Sequence, residues 1–184
     1  MSSAETIILG VTGGIAVYKA ADLCSKLVAE KFDVHVVMTE NALKLISGKI
    51  FLTLSRNPVL TSLWEETEWK PEHVALAEAA DLMIVAPCTA NFLGKFTHGI
   101  ADDALTTTAL TFAGTGKKIL LAPAMNSNMW ASPAVAENCK ILRKRGIQFV
   151  GPAEGRLACG TKGAGRMCEP AEILAAAEKI LSGK

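Results

Sequence analysis

The amino-acid sequence predicts an α/β protein built on a single doubly wound, mainly parallel sheet with helices on both faces. Three observations carry that expectation. Short runs of continuously apolar residues recur along the chain, without the in–out alternation of a sheet that has one face in water. Stretches of helical character separate these runs, as a sheet covered on both faces requires. The 184 residues, half of them hydrophobic, suffice for one full core, and no internal repeat or low-complexity linker divides them. The expected architecture is therefore one Rossmann/flavodoxin-like domain over residues 1–184.

The elements follow in order. "TIILGVT" (6–12) reads as a buried strand, and "GIAVYKAADLCSKLVAEK" (14–31) as the helix after it. Ala16, Ala20, Leu23 and Leu27 repeat on one face of that helix, while Lys19, Asp22, Lys26 and Glu30 are expected elsewhere. "DVHVVMT", "DLMIVAP", "KKILLAPA" and the short "IQFVG" supply the remaining strands. Helices are expected over 40–48, 71–80, 102–111 and 133–145, with a terminal helix from Pro170. Between the last strand and that helix lies "GPAEGRLACGTKGAGRMCEP" (151–170), read as one long glycine-rich flap.

Composition narrows the function classes. Charged residues make up 20% of the chain and the formal net charge is +1, which excludes a basic nucleic-acid footprint and a disordered tail. The single basic run, Arg143 to Arg145, precedes Gly146 and reads as a solvated helix C-terminus. No apolar stretch reaches transmembrane length and "MSSAETIILG" lacks a basic leader region, so neither a membrane span nor a secretory signal is expected. Five cysteines without a CxxC pair point to a reducing cytoplasm rather than a disulfide framework. The Cys159–Cys168 spacing lacks a second ligand pair, so no metal is expected.

Doubly wound sheets bind ligands at the carboxyl ends of their strands, and chemistry is sought there. "GVTGGIAVYK" departs from the GxGxxG fingerprint, since Thr12 and Ile15 stand where glycines would. Gly13 and Gly14 still open a helix directly after a strand, where backbone amides hold a phosphate or merely form a tight turn. Thr39 ends the second strand, either as a ligand hydroxyl or as a helix N-cap. In "PCTANF", Thr89 and Asn91 stand past a strand at a helix start, small polar groups suited to a flat heterocycle's carbonyls. In "APAMNSNMW", Asn126 offers a donor and an acceptor, with helix capping as the competing account, and Met125, Met129 and Trp130 offer an apolar wall.

Taken together, these motifs resemble one family. "PAMNSNMW" is similar to the PxMNxxMW motif of flavin-dependent cysteine decarboxylases, and "PCTANF" to their PASANT motif. "GRLACGTKGAGRM" is similar to the substrate-recognition clamp of the phosphopantothenoylcysteine decarboxylases of coenzyme A biosynthesis. The resemblance spans essentially the whole chain. It departs in the second motif, where Cys88, Thr89 and Phe92 replace Ala, Ser and Thr; Phe92 loses a hydroxyl.

The resemblance implies a chemistry. Loss of CO2 from a cysteine carboxyl leaves a carbanion beside nitrogen with no electron sink, whereas prior oxidation of the CH2–SH group to a thioaldehyde provides one. FMN supplies that reversible oxidation without net redox change. The implied sequence is oxidation of 4′-phosphopantothenoylcysteine, decarboxylation to an enethiolate, and reduction to 4′-phosphopantetheine. His73, in "PEHVAL", then corresponds to the family's active-site base, and Cys159 to the cysteine that protonates the enethiolate. Asn126, with Met129 beside it, is assigned to the substrate. Gly13, Gly14, Ile15 and Thr39 are assigned to FMN phosphate or ribityl, and Thr89, Ala90, Asn91, Phe92 and Ala124 to its ring side. Lys162 and Arg166 are candidates for the substrate phosphate, while Cys24, Cys88, Cys139 and Cys168 are left to packing. The resemblance further implies a homo-oligomer, a trimer or a dodecamer of trimers with FMN near the interface, and fusion to or partnership with phosphopantothenate–cysteine ligase. Three other roles share the scaffold or fold: peptidyl-cysteine decarboxylation in lantibiotic maturation, flavin prenylation, and a non-enzymatic flavin-binding regulatory subunit. The "ACG" clamp argues against the first, the PxMNxxMW motif against the second, and retention of His73 and Cys159 against the third.

Overall fold

The structure, a computed structural model, describes residues 4–64, 71–156, 160 and 162–183. Strand β1 (Thr6–Val11) leads through a glycine turn into α1 (Val17–Ala29), followed by β2 (Asp33–Met38). Two short helices, α2 (Glu40–Leu43) and α3 (Gly48–Ser55), precede the two-residue strand β3 (Val59–Leu60). Next come α4 (Glu72–Ala79), β4 (Leu82–Cys88), α5 (Ala90–His98), α6 (Ala104–Ala113) and β5 (Lys118–Pro123). The chain continues through α7 (Ser127–Trp130), α8 (Pro133–Lys144), β6 (Gln148–Phe149), the strands β7 (Ala153–Arg156) and β8 (Lys162–Arg166), and α9 (Pro170–Leu181).

Strands β1 to β6 form one parallel sheet in the order β3-β2-β1-β4-β5-β6, with Gly10 paired to both Val37 and Val85. This is the 3-2-1-4-5-6 order of the doubly wound dinucleotide-binding arrangement, whose switch point lies between β1 and β4. Burial on both sides explains the apolar runs: all seven residues of β4 are buried. Ile7, Leu9, Leu82 and Ile84 pack with α1, α3 and α9 on one face, while Ile8, Met83, Val85 and Leu121 pack with α4, α5, α6 and α8 on the other. Among the described residues, no helix is long and apolar enough to cross a membrane.

Several local readings are corrected. The helix expected over 14–31 begins only at Val17, because residues 13–16 form a tight turn. The helix expected over 40–48 is instead two helices, since Ser47 caps a new start by accepting the Lys49 N–H at 3.3 Å. The basic run at the end of α8 is not simply solvated. The Arg143 guanidinium lies 4.5 Å above the Phe149 ring, and Arg145 donates to the Thr97 carbonyl at 2.8 Å. The glycine-rich segment forms an antiparallel hairpin, β7–β8, that packs on the turn before α7. Gly165 (φ +139°) lies so close to Met125 that a Cβ would strike the Met125 carbonyl oxygen, and a Cβ on Gly163 would fall 2.7 Å from Ser127 Oγ. These glycines permit close backbone approach, which is a reason for them other than loop closure.

Candidate active site

The loops leaving β1 and β4 diverge at the switch point and are stitched together by one side chain. Thr12 Oγ1 donates to the Pro87 carbonyl at 2.7 Å and accepts the Thr89 N–H at 3.3 Å. Above this stitch lies a cleft of about 1350 Å³. Small-molecule sites usually span about 300–1,000 Å³, so the cleft has room for two molecules side by side. Gly13, Gly14, Ile15, Thr39, Thr89, Ala90, Asn91, Phe92, Ala124, Asn126 and Met129 all line it. Eleven residues from four separate strand ends thus converge on one cavity.

The glycine turn has two distinct jobs. A Cβ on Gly13 would lie 2.5 Å from Asn41 Cβ and 2.7 Å from its carbonyl carbon, so only glycine lets α2 approach β1 this closely. Gly14 has space above its Cα, the nearest atom being Thr89 Cγ2 at 3.4 Å, but its N–H is spent on the Thr12 carbonyl at 3.0 Å. The expectation of a free Gly14 amide is therefore corrected. Among the described residues the amides of Gly13, Ile15 and Ala16 have no acceptor, and the first turn of α1 carries no acidic side chain. That set, at the positive end of a 13-residue helix, fits a phosphate.

The capping reading of the threonines is borne out. Thr39 Oγ1 caps α2 by accepting the Ala42 N–H at 3.3 Å, and Thr89 Oγ1 caps α5 by accepting the Phe92 N–H at 3.4 Å. A capping hydroxyl acts as acceptor there and keeps its proton for a ligand. Asn91 is exposed on the first turn of α5, whereas Phe92 is 2% exposed and stacks on Phe96 with ring centroids 5.5 Å apart. The aromatic residue that replaces the motif's threonine is thus a core residue bordering the cleft. On the opposite wall Asn126 caps α7, its Oδ1 accepting the Asn128 N–H at 2.8 Å, and Met125 donates its N–H to Gly165 O at 2.9 Å. Trp130 packs into the core beside α8 and lies outside the lining, a correction to the expected apolar wall.

Sequence reasoning missed several lining residues. Lys19, which the periodicity sets off the apolar face of α1, is buried and donates to Met167 O at 3.2 Å and Glu169 Oε1 at 2.8 Å. The spacing Ala16, Lys19, Leu23 does place it beside the apolar stripe, a signal available in the sequence. Its hydrogen bond holds the Glu169 carboxyl below the usual carboxylate range. Lys95, on the cleft's other side, is paired with Asp102 at 2.7 Å and Asp103 at 3.4 Å; the Asp102 hydrogen bond pushes its ammonium upward. Arg166 lines the cleft with its guanidinium 3.4 Å from Glu169 Oε1, while Arg156 lines it and Lys162 does not. At the rim, Ile15, Tyr18 and Trp64 are 65%, 64% and 89% exposed.

His73 is half-buried on the first turn of α4 and is not among the lining residues, so the structure does not bring it to this chain's own cleft. Cys159 lies outside the described residues. Cys24, Cys88, Cys139 and Cys168 are buried free thiols, and burial pushes each upward, Cys24 to about 11, so packing is their role. Among the described residues, no group of three His, Cys, Asp or Glu side chains could hold a metal ion.

The chain is 47% identical over 180 residues to the coenzyme A biosynthesis bifunctional protein CoaBC of Bacillus subtilis (strain 168), covering 97% of this chain and 44% of that protein. The chain thus spans less than half the length of that relative. Among solved structures, a Cys-to-Ser variant of a PPC decarboxylase complexed with pantothenoylaminoethenethiol superposes with a TM-score of 0.85 at 28% identity, covering 98% of this chain and all of that one. The FMN-dependent cysteine decarboxylase SpaF gives 0.81 at 28% identity, covering 97% and 96%. A family model described as Flavoprotein matches residues 1–182, and the chain belongs to that family.

Proposed function

We propose that this chain, as one flavoprotein unit over residues 1–184, carries out the FMN-dependent decarboxylation of 4′-phosphopantothenoylcysteine to 4′-phosphopantetheine. The observation that carries the reading is the convergence of the glycine turn, "PCTANF" and "PAMNSNMW" on one cleft with room for a cofactor and a substrate together. Relatives named for coenzyme A biosynthesis and for PPC decarboxylation supply the substrate class. The unpaired amides of Gly13, Ile15 and Ala16 would hold the FMN phosphate, and Thr39, Thr89, Ala90, Asn91, Phe92 and Ala124 would border its ribityl and ring. When bound, FMN takes up and returns a hydride, giving the carboxylate-bearing carbon its electron sink.

The chain's own residues do the rest. Asn126, its Oδ1 held by the Asn128 amide, presents its side chain to the substrate's carboxylate and amide, with Met125 and Met129 as the apolar wall. Cys159 would return a proton to the enethiolate, a role that rests on its motif alone. His73 would accept the proton released as the substrate thiol is oxidised. It lies outside this chain's own lining, so in this account it serves the cleft of a neighbouring copy in a homo-oligomer, a trimer or a dodecamer of trimers. The exposed apolar rim of Ile15, Tyr18 and Trp64 supports a covering partner. A ligase that joins cysteine to phosphopantothenate would supply the substrate, fused or separate, in the cytoplasm. The test is to mix purified chain with phosphopantothenoylcysteine and measure CO2, while heat-denatured protein is assayed for released FMN. CO2 without added oxidant and a free mononucleotide support the reading; an absence of CO2 from flavin-loaded protein overturns it.

A further inference from the structure

We infer that Arg156, with Lys162 across the hairpin from it, is the site for the substrate's terminal phosphate. The inference rests on the decarboxylase reading above, because only that reading supplies a phosphorylated substrate. Lys19 is paired with Glu169 at 2.8 Å, and Lys95 with Asp102 at 2.7 Å and Asp103 at 3.4 Å. Arg166 faces Glu169 at 3.4 Å, and its side chain packs against Gly155, where an added Cβ would come 3.3 Å from Nε. Those three cations are already neutralised or pinned. Arg156 is the lining cation that has no ion pair or hydrogen bond among the described residues.

The hairpin register supplies a second, independent observation. Arg156 is paired directly with Lys162 on the antiparallel ladder, so both side chains rise from the same face. Like charges directly opposite one another destabilise a strand pair. Glu154, two residues back on that face, forms an ion pair with neither among the described residues. Two facing cations that share no ion pair with a carboxylate among the described residues, one of them lining the cleft, suit a dianion. A guanidinium beside an ammonium recognises phosphate by charge-assisted hydrogen bonds. The amides of Gly13, Ile15 and Ala16 stand at the head of α1, so cofactor and substrate phosphates would occupy separate sites. Of the two candidates named from sequence, Lys162 is kept and Arg166 gives way to Arg156.

The experiment reads binding rather than turnover, so its result is separate from the CO2 assay. Flavin-loaded protein is titrated calorimetrically with 4′-phosphopantetheine and with pantetheine. Wild type is expected to prefer the phosphorylated compound, and that preference to weaken as salt is raised. Arg156→Gln should lower the preference about tenfold to a hundredfold, the range for losing a hydrogen bond to a charged group. Lys162→Gln should lower it less, Arg156→Lys should restore only part of it because the ammonium keeps the charge but loses the planar fork, and Arg166→Gln should leave it within about threefold of wild type. A wild-type preference retained by Arg156→Gln, or no preference in wild type, overturns the inference even if CO2 is released.

Discussion

Lys19→Met tests how the hairpin is held to the cofactor helix. The Lys19 side chain is 9% exposed, and its ammonium bonds both the Met167 carbonyl and the Glu169 carboxylate, at the junction of β8 and α9. Methionine replaces the aliphatic stem without opening a cavity, so the loss is electrostatic. Two charge-assisted hydrogen bonds set an upper bound of about 3–6 kcal/mol. The Glu169 side chain is 48% exposed and regains water once freed, which reduces its share toward the roughly 0.2–1 kcal/mol of a surface pair. The Met167 bond keeps most of its worth, and the expected cost is about 1.5–3 kcal/mol. With a urea slope of about 1–3 kcal/mol/M, the unfolding midpoint should fall by roughly 0.5–3 M. The pH dependence adds a signature. Lys19 depresses the Glu169 carboxyl in the folded state, so its stabilisation is fully present above the ordinary value of 4.5 and is lost as pH falls through the folded value. The gap between wild type and variant should therefore be widest near neutrality and narrow only as pH falls below 4.5 through the lowered folded value, with both proteins compared at equal flavin excess. A midpoint shift below about 0.2 M, or a gap unchanged by acid, would refute this account of Lys19.

Gly13→Ala should cost about 1–3 kcal/mol and weaken flavin retention, because its Cβ must displace the Asn41 backbone, whereas Gly14→Ala meets nothing closer than 3.4 Å and should stay within about 0.5 kcal/mol of wild type in urea melts. His73→Asn should keep bound flavin but lose about two to four orders of magnitude in decarboxylation rate. If His73 serves a neighbouring copy, co-expressing His73→Asn with Asn126→Asp should recover part of the activity that each lacks alone, and failure to recover any would place both residues in one chain's site.

The parallel sheet was legible because burial on both faces leaves nearly unbroken apolar runs in β1, β4 and β5, while β2 keeps one in its second half after His35. Strand β3 was not legible, since two paired residues, Val59 and Leu60, are too few to make a pattern. The cleft was legible through Gly13, Thr89 and Asn126, each standing one or a few residues beyond a strand. The ion-paired lining was not. Lys19 reads as a surface lysine until the chain 150 residues later brings Glu169 back beside it. Arg156 gains meaning only from its register opposite Lys162. Glycine enrichment in the hairpin was visible, but Gly163 and Gly165 serve contact with Ser127 and Met125, which spacing alone does not reveal.

The central claim is that the switch-point cleft removes CO2 from a cysteine carboxyl without net oxidation. The most direct measurement is steady-state turnover of phosphopantothenoylcysteine by the purified chain under anaerobic conditions, with CO2, product mass and flavin absorbance recorded together. The account predicts one CO2 and one 4′-phosphopantetheine per substrate over many turnovers, with the flavin oxidised again once substrate is exhausted. Accumulation of reduced flavin with a single burst of CO2, or turnover that needs oxygen, would contradict it.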